Sequence, residues 1–219
     1  MENVLIIVPH PDDVAFGMGG TALQLKDRYH LHVLCATKGE RGVRGQDMAV
    51  TAAIREKEEA AACTMLGADL TFLGLIDGDV YADRVVCEQV AEEVRKIQPV
   101  AIFTIWPIDS HPDHSAISEI TRKACRLAAF TGELYYMEEG MGDQTTCFHP
   151  DIYMETTHVY DERLGLLRLH ACQNVGDGLV KAAITREQYR GNECGCQYAE
   201  GFKMPFPPRI GHTEILSNI

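Results

Sequence analysis

The chain has 219 residues and a formal net charge of −12 at pH 7, enough for a single domain with a substantial core spanning residues 1–219. Because no cluster of lysine and arginine stands against this acidic excess, nucleic acid and anionic membranes are disfavoured as partners. No apolar run approaches the ~20 residues of a membrane span, and no basic leader precedes the first predicted strand. We therefore expect a soluble, cytoplasmic protein.

The first predicted element is a buried strand that leads into a polar motif. Residues 4–8 are apolar and mostly β-branched and end at Pro9, which is typical of a strand in a parallel sheet. His10, Asp12 and Asp13 follow at the carboxyl end of that strand, where open α/β folds bind ligands. A single histidine after a strand is more often structural, so His10 alone would not indicate a site.

Alternating helices and strands follow this motif. Glycines 17, 19 and 20 precede a helix predicted over residues 21–28, and their spacing does not match a dinucleotide-binding loop. Further elements are a strand over 31–36, a helix over 49–66 ending at Gly67, a strand over 71–73 and a helix over 85–96. This alternation indicates βαβ units and a mostly parallel sheet.

A second cluster of histidines and carboxylates follows the strand predicted over residues 100–104. It contains His111, Asp113 and His114, and a helix is predicted from Pro112 to about residue 129. His111 and His114 are three residues apart and face the same way. Two strands that end in such clusters can supply two nitrogen ligands, one oxygen ligand and an open position, the ligand set of catalytic zinc.

The pattern changes beyond residue 132. Strands are predicted over 134–136 and 152–154, and helices over 160–170 and 186–193. We expect this last third, from about residue 133, to extend the sheet and to wall the cleft or form subunit contacts. Its histidines have no ligand spacing and are interpreted as structural; they are His149, His158, His170 and His212.

The eight cysteines lack the short chain length and regular spacing of a disulfide scaffold. We expect most of them to be reduced residues of the core. Cys194 and Cys196 are the only close pair, and no second Cys/His pair at ligand spacing accompanies them. A loop with two thiols is therefore favoured over a metal site.

The paired motifs His10-Pro11-Asp12-Asp13 and His111-Pro112-Asp113-His114 resemble those of the LmbE-like, or PIG-L, family of metal-dependent N-acetylglucosamine deacetylases. The likeness covers most of the chain and includes residues 37–40, 55–58, 74–78 and 198–202. It implies a Rossmann-like three-layer α/β sandwich and a homo-oligomer such as a hexamer. This chain departs from the pattern at Val14 and Ala15, because the family usually carries a glutamate just after the two aspartates.

With this resemblance, His10, Asp13 and His114 are expected to bind the metal. Zinc is favoured by the imidazole and carboxylate ligands, although iron(II) or cobalt(II) fits the same set. Asp12 is the candidate base, since adjacent side chains in an extended turn point apart and one aspartate can ligate while the other faces water. Loss of the usual glutamate would then weaken support around the site more than metal binding itself.

Four further residues complete the expected site. His111 would stabilise the oxyanion or protonate the leaving amine, and Asp113 would either hold the tautomer of His111 or cap the helix. The resemblance implies that Arg55 contacts sugar hydroxyls and that Asp77 helps to hold the substrate. The ordinary alternatives are a surface pair of Arg55 with Glu58 and a turn at Asp77.

The expected reaction is metal-assisted hydrolysis of an amide to acetate and a free amine. The residues alone fit an ester or another amide equally well, and only the resemblance indicates an N-acetylglucosamine conjugate. Residues 199–202 are most similar to the bacterial branch that deacetylates an N-acetylglucosaminyl-malate conjugate, and loop residues Arg41 and Arg44 would suit malate carboxylates. The alternatives are a non-catalytic, metal-containing sugar-binding protein and an amidohydrolase acting on a non-sugar acyl substrate.

Overall fold

The computed structural model describes residues 1–140, 142, 144–205 and 215–218, so His212 lies outside the described residues. Seven strands of the described chain form one sheet: β1 (Glu2–Val8), β2 (Tyr29–Thr37), β3 (Asp69–Leu75), β4 (Ala101–Ile105), β5 (Glu133–Met137), β6 (Ile152–Glu155) and β7 (Ala199–Lys203). Six α-helices accompany them: α1 (Asp13–Leu25), α2 (Met48–Leu66), α3 (Arg84–Ile97), α4 (Pro112–Leu127), α5 (Tyr160–Arg168) and α6 (Gly178–Cys194). No helix in these ranges combines the length and apolarity needed to cross a bilayer.

The order of the strands places both sequence motifs at one crevice. The order is β3-β2-β1-β4-β5-β7-β6, with β1 to β5 parallel and β7 antiparallel to both β5 and β6. This confirms the predicted α/β class with a mostly parallel sheet. The order reverses between β1 and β4, and such a reversal opens a crevice beyond the carboxyl ends of the strands. His10 follows β1 and His111 follows β4, so both motifs meet there.

Burial explains why β1 lacks an alternating pattern. All residues from Val4 to Val8 are fully buried, and β1 contacts α1 as well as α3 and α4. A strand covered by helices on both faces needs apolar side chains at every position. The run of five apolar residues therefore forms the centre of the core and delivers His10 to the crevice at a fixed position.

Local capping signals explain the bounds of α2. The side chain of Asp47 accepts hydrogen bonds from the N–H groups of Ala49 and Val50, and Gly67 ends the helix with a φ of 61°. A carboxylate at the start and a left-handed glycine at the end are the preferred caps of a helix. The helix predicted over residues 49–66 is thus confirmed, with Met48 as its first residue.

All eight cysteines carry free thiols. The expected core location holds only for Cys35, Cys63 and Cys87, which are buried, while the others reach the surface at least in part. The Sγ atoms of Cys194 and Cys196 lie 3.6 Å apart. Among the described residues, no third ligand side chain joins them in a group that could hold a metal ion.

Helix α1 differs from the predicted helix over residues 21–28. It begins at Asp13 and is broken at Met18, where φ is −145° and ψ is 23°. The break lies among three glycines, which resist helix formation because their unfolded backbone has the greatest freedom. A break inside a buried helix separates backbone N–H and C=O groups from their normal partners, and those groups need new ones.

Glu200 on β7 supplies the acceptors for the second half of α1. Its carboxylate oxygens accept hydrogen bonds from the N–H groups of Gly20 at 2.9 Å and Thr21 at 2.7 Å, and from the Thr21 hydroxyl at 2.7 Å. Glu200 therefore acts as the N-cap of a helix segment 179 residues earlier in the chain. The sequence did not predict β7, because a strand with a glutamate and a glycine in its interior has low β propensity.

Two arginines take the carbonyl group that the break leaves free. Arg163 donates to the Phe16 carbonyl oxygen at 2.8 Å, and Arg186 donates to the same atom. Both belong to a group of six buried charged residues, here called the arginine–glutamate cluster. Its members are Arg163, Arg186, Arg190, Glu138, Glu187 and Glu200. Helix α1, which starts at one motif aspartate, is thus held from behind by buried ion pairs.

Candidate metal and catalytic site

A cavity of about 680 Å³ opens beyond the carboxyl ends of β1 and β4. Side chains from both sequence motifs line it, and so do side chains from loops that carry no motif. The lining includes His10, Asp12, Asp13, Arg41, Arg55, Asp77, His111, His114, Glu139, Gln144 and Arg186. Of the residues predicted to bind metal, catalyse or bind the sugar, only Asp113 does not line the cavity; it lies behind His10. Arg44, expected to suit malate carboxylates, does not line it either.

His10 is surrounded by three carboxylates. Its Nε2 atom lies 3.1 Å from Asp113 Oδ2 and 3.2 Å from Asp77 Oδ1, and its Nδ1 atom lies 3.5 Å from Asp13 Oδ2. Burial lowers the pKa of His10, but hydrogen bonds to Asp113, Asp13 and Asp77 outweigh it and raise the pKa well above its usual value. The site therefore requires a positive charge, which either a proton or a divalent cation can supply.

His114, like His10, lies between Asp13 and another carboxylate. Its Nε2 atom lies 3.6 Å from Asp13 Oδ1, and its Nδ1 atom lies 3.3 Å from Asp109 Oδ2. His10 and His114 thus each turn one nitrogen toward Asp13 and the other toward a further carboxylate, as metal-ligating histidines do. Tetrahedral zinc with ~2.0 Å bonds separates its ligand atoms by about 3.3 Å. The donor types therefore suit a zinc-like ion, and His10 and His114 lie 3.5 Å and 3.6 Å from different oxygens of Asp13.

His111 is a third imidazole in the cavity with a different role. The donor atoms of His10, His111 and His114 lie within 4.8 Å of one another, so all three could approach one ion. However, His111 Nδ1 accepts a hydrogen bond from the Asp113 N–H at 3.3 Å as the N-cap of α4. The neutral ring consequently carries its proton on Nε2. Burial, together with the charges of His10 and His114, lowers the pKa of His111 and favours this neutral form.

The carboxylate of Asp113 contacts His10, not His111. The expectation that this side chain holds the tautomer of His111 was wrong, because its backbone N–H does so instead. The carboxylate also accepts the N–H of Gly78 at 2.6 Å, and Asp77 accepts a backbone N–H from the loop after β2 at 2.9 Å. Donor atoms of His10, Asp77 and Asp113 also lie within 4.8 Å, but both carboxylates are engaged in orienting His10.

Asp12 has a strained backbone that is held from two sides. Its φ is 101°, in the left-handed region that side chains other than glycine rarely adopt. Glu59 Oε2 accepts the Asp12 N–H at 3.0 Å, and Arg55 donates to Asp12 Oδ1 at 2.8 Å and to the Pro11 carbonyl at 2.5 Å. This turn directs the Asp12 carboxylate toward Arg55 and the Asp13 carboxylate toward the histidines.

The two adjacent aspartates differ strongly in acidity. Burial raises the pKa of Asp12 to about 6, although Arg55 acts against it. Burial also acts to raise the pKa of Asp13, but His114 and His10 outweigh it and the pKa falls to about 2. Asp13 is therefore ionised at any ordinary pH, as a metal ligand must be, while Asp12 can exchange a proton near neutrality, as a general base must.

Arg55 is a buried residue of the cavity. The alternative interpretation, a surface pair with Glu58, was wrong, since Arg55 is only 4% exposed and Glu58 instead accepts the Cys172 N–H at 3.0 Å. The guanidinium of Arg55 also donates to the Gly39 carbonyl at 3.1 Å. Arg55 is thus fixed by three contacts beside Asp12, and the cavity lining includes it.

Several residues of the site carried no recognisable signal in the sequence. Asp109 lies two residues before His111, so proximity to the motif was the only signal that could have identified it. Gln144, 3.2 Å from His114 Nδ1, and the buried Glu139 come from the loop after β5. Glu139 Oε1 has no hydrogen-bond partner among the described residues, and burial, with the charge of Asp13, raises the Glu139 pKa well above its usual value.

Comparisons with known proteins agree with this geometry. A family model described as PIG-L, GlcNAc-PI de-N-acetylase, matches residues 5–125, more than half of the chain. The probable N-acetyl-alpha-D-glucosaminyl L-malate deacetylase 2 of Bacillus cereus is 29% identical over 185 residues, covering 78% of this chain and 84% of that protein. The 4-oxalmesaconate hydratase of Pseudomonas putida is 24% identical over 233 residues, covering 94% and 90%. The N,N'-diacetylchitobiose deacetylase structure from Pyrococcus horikoshii has a TM-score of 0.84 and 25% identity, covering 93% of this chain and 83% of that one.

Proposed function

The chain belongs to the PIG-L, or LmbE-like, family of deacetylases, and from that premise we propose that it is a zinc-dependent de-N-acetylase of an N-acetylglucosamine conjugate. One observation carries this proposal. Asp13, with a pKa of about 2, lies between two histidines that are each backed by a further carboxylate, while Asp12, with a pKa of about 6, faces the same cavity. A permanently ionised ligand beside a base that titrates near neutrality suits metal-assisted hydrolysis.

His10, Asp13 and His114 would hold the ion. Two imidazoles and one carboxylate suit Zn²⁺, and they also suit Fe²⁺ or Co²⁺. When bound, such an ion polarises the substrate carbonyl and makes water more acidic. The protein contributes the orientation of the ligands, because Asp113 and Asp77 fix the ring of His10, as described above.

Asp12 and His111 would move the protons. Asp12 accepts a proton from the attacking water and, once protonated, can pass it to the leaving nitrogen, because its pKa of about 6 permits both directions. His111 donates from Nε2 to the carbonyl oxygen as that atom gains negative charge. The products are acetate and a free amine, which balances the water consumed.

The rim of the cavity supports a sugar conjugate with an anionic aglycone. Arg55 and Asp77 lie in the lining, where they could bind sugar hydroxyls. Arg41, from the loop after β2, also lies there, with its guanidinium paired to Asp79 at 2.6 Å. The cavity of about 680 Å³ is large enough for a glycoside. The named substrate of the Bacillus relative therefore makes N-acetylglucosaminyl-malate our first choice of conjugate.

A hydratase is the second candidate. Val14 and Ala15, where deacetylases of the family usually have a glutamate, are buried and apolar. A relative named as a hydratase matches nearly the whole chain. The same base beside a cation could add water to a carbon–carbon double bond conjugated to a carboxylate.

The test is amine release from N-acetylglucosaminyl-malate, diacetylchitobiose and free N-acetylglucosamine, with and without added Zn²⁺. We expect release that requires the metal and is lost in Asp12→Asn. The matched control is Asp27→Asn, which changes an exposed aspartate just after α1. If the metal-loaded wild type releases no amine from any conjugate, the deacetylase proposal is wrong, and water addition to an unsaturated carboxylate would then support the hydratase.

A further inference from the structure

A second group of imidazole and carboxylate side chains lies at the opposite edge of the sheet. His30 and His32 lie near the start of β2, and Asp69 is the first residue of β3. The parallel register pairs His32 with Asp69, so two neighbouring strands bring the three residues together. Their donor atoms lie within 4.8 Å of one another. The group is separate from the cavity, because it lies at the amino ends of the strands.

One carboxylate oxygen serves both histidines. Asp69 Oδ2 lies 3.1 Å from His30 Nε2 and 3.5 Å from His32 Nδ1, and the two imidazole rings are 4.4 Å apart. These separations are close to the value of about 3.3 Å that tetrahedral ligation by zinc imposes on its ligand atoms. Two nitrogens and one oxygen thus lie close enough to share one metal ion, and the side chains of His30 and Asp69 are 47% and 65% exposed.

The hydrogen bonds of Asn3 fix the tautomer of His32. Asn3 Nδ2 donates to the Ile97 carbonyl at 2.6 Å, so the amide oxygen of Asn3 must be the atom 3.3 Å from His32 Nε2. That oxygen can only accept, and His32 Nε2 therefore carries the proton. In the neutral ring, Nδ1 then presents a lone pair to the Asp69 carboxylate, which is repulsive.

We propose that His30, His32 and Asp69 bind a divalent first-row transition ion such as Zn²⁺, Co²⁺ or Ni²⁺. A cation between Asp69 and the lone pair of His32 turns a repulsive contact into two attractive ones. Imidazole ligands favour these ions over Mg²⁺ and Ca²⁺, which prefer oxygen ligands alone. The ion would join β2 to β3, the edge strand of the sheet, and would stabilise the fold increasingly as its free concentration rises above Kd.

The test counts metal equivalents by isothermal titration of Zn²⁺ into the full chain. We expect His30→Gln and His32→Gln each to bind one equivalent fewer than the wild type. His158→Gln, which changes an exposed histidine elsewhere on the surface, should lose none. Because the readout is a difference between variants, it does not depend on whether the cavity also binds metal. Equal stoichiometry in the wild type and in both variants would overturn the proposal.

Asp69→Asn provides a variant that cannot fail by unfolding the core, because the Asp69 side chain is 65% exposed. Loss of this ligand should weaken the additional Zn²⁺ site at least ~10-fold, the lower range for disturbing a metal-ligand shell. Mg²⁺ should give no corresponding heat. A Zn²⁺ affinity unchanged by Asp69→Asn, or an equal heat from Mg²⁺, would contradict a site of this chemistry.

Discussion

Two polar regions of this molecule differ in charge balance. The arginine–glutamate cluster behind α1 pairs three arginines with three glutamates, and its contacts complete the broken helix. The candidate site at the cavity gathers five aspartates around one guanidinium and three imidazoles. These residues are Asp12, Asp13, Asp77, Asp109, Asp113, Arg55, His10, His111 and His114.

The difference in net charge indicates that one region is structural and the other functional. In the arginine–glutamate cluster three arginines face three glutamates within ion-pair distance, so the charges balance and the pairs serve to hold α1. At the candidate site the carboxylates outnumber the fixed cation, which leaves pKa values displaced in both directions. An uncompensated buried charge is destabilising unless a ligand completes it. The candidate site is therefore the region that we expect to bind a ligand and to carry out chemistry.

The largest expected effect is a loss of catalytic activity without a loss of folded protein. Asp12→Asn should lower kcat by about 10²–10⁴-fold, the usual contribution of a general base. The unfolding free energy should not fall, and near neutral pH it should rise, because asparagine can still accept from Arg55 and because burial disfavours the charged form of Asp12 that it replaces. Steady-state kinetics and urea unfolding of the same preparation test this. A loss of activity that merely follows a loss of folded protein would remove Asp12 from the chemistry.

A substitution in the arginine–glutamate cluster should lower stability and leave catalysis nearly unchanged. Glu200→Gln removes one of the two carboxylates that pair with Arg163, the other being Glu187. Breaking a buried ion pair lowers the unfolding free energy by up to about 3–5 kcal/mol. Activity per folded molecule should stay within a few-fold of wild type. Glu155→Gln, an exposed change on the neighbouring strand β6, is the control and should alter neither quantity. Urea unfolding that does not distinguish Glu200→Gln from this control would contradict a structural role for the cluster.

The acidity of Asp12 allows the candidate site to be tested by the pH dependence of activity. Activity should rise as pH rises through about 6, because Asp12 must be ionised to accept a proton. Arg55→Gln removes the cation that lowers the pKa of Asp12, so the rising limb of the kcat/KM profile should move to higher pH. Arg44→Gln, an exposed change in the loop after β2, should leave the limb in place. A limb unmoved by Arg55→Gln would exclude Asp12 as the titrating group.

Ionisation of Asp12 should also lower the unfolding free energy of the protein. The folded-state pKa of Asp12 is about 6, above the unfolded value of about 3.9. The folded protein therefore binds more protons in this window, and the contribution of Asp12 to the unfolding free energy decreases as pH rises from about 4 to about 6. Asp12→Asn should remove this decrease from the pH dependence of urea unfolding. An identical pH dependence in the wild type and the variant would contradict the raised pKa.

The smallest expected effect concerns two glycines of one loop. A Cβ on Gly39 would overlap the guanidinium of Arg55, whereas a Cβ on Gly45 would meet nothing within 4 Å. Both residues have positive φ, at 62° and 79°, so Gly39→Ala and Gly45→Ala share the backbone strain of about 1 kcal/mol. Only Gly39→Ala should also lower kcat/KM, by about tenfold, through displacement of Arg55. Equal kinetics in the two variants would show that the position of Arg55 is unimportant.

The features that could be predicted from the sequence are those that local patterns determine. The apolar run of β1 and the helix caps at Asp47 and Gly67 are decided within a few residues, and so was the location of His10 at a strand end. The break in α1, the burial of Arg55 and the course of β7 are decided by contacts across the whole chain. No short-range pattern marks a residue such as Glu200, whose partners lie 179 and 180 positions away.

That long-range cap has a consequence for biosynthesis. The first motif and the first half of α1 leave the ribosome before Arg163 and Glu200, which complete the break in α1 and follow their partners by 147 and 179 residues. Contacts between such distant segments form late, because loop closure must precede them. The nascent chain should consequently carry a complete set of motif side chains on an incomplete helix, and the enzyme would acquire its active geometry only when β7 joins the sheet.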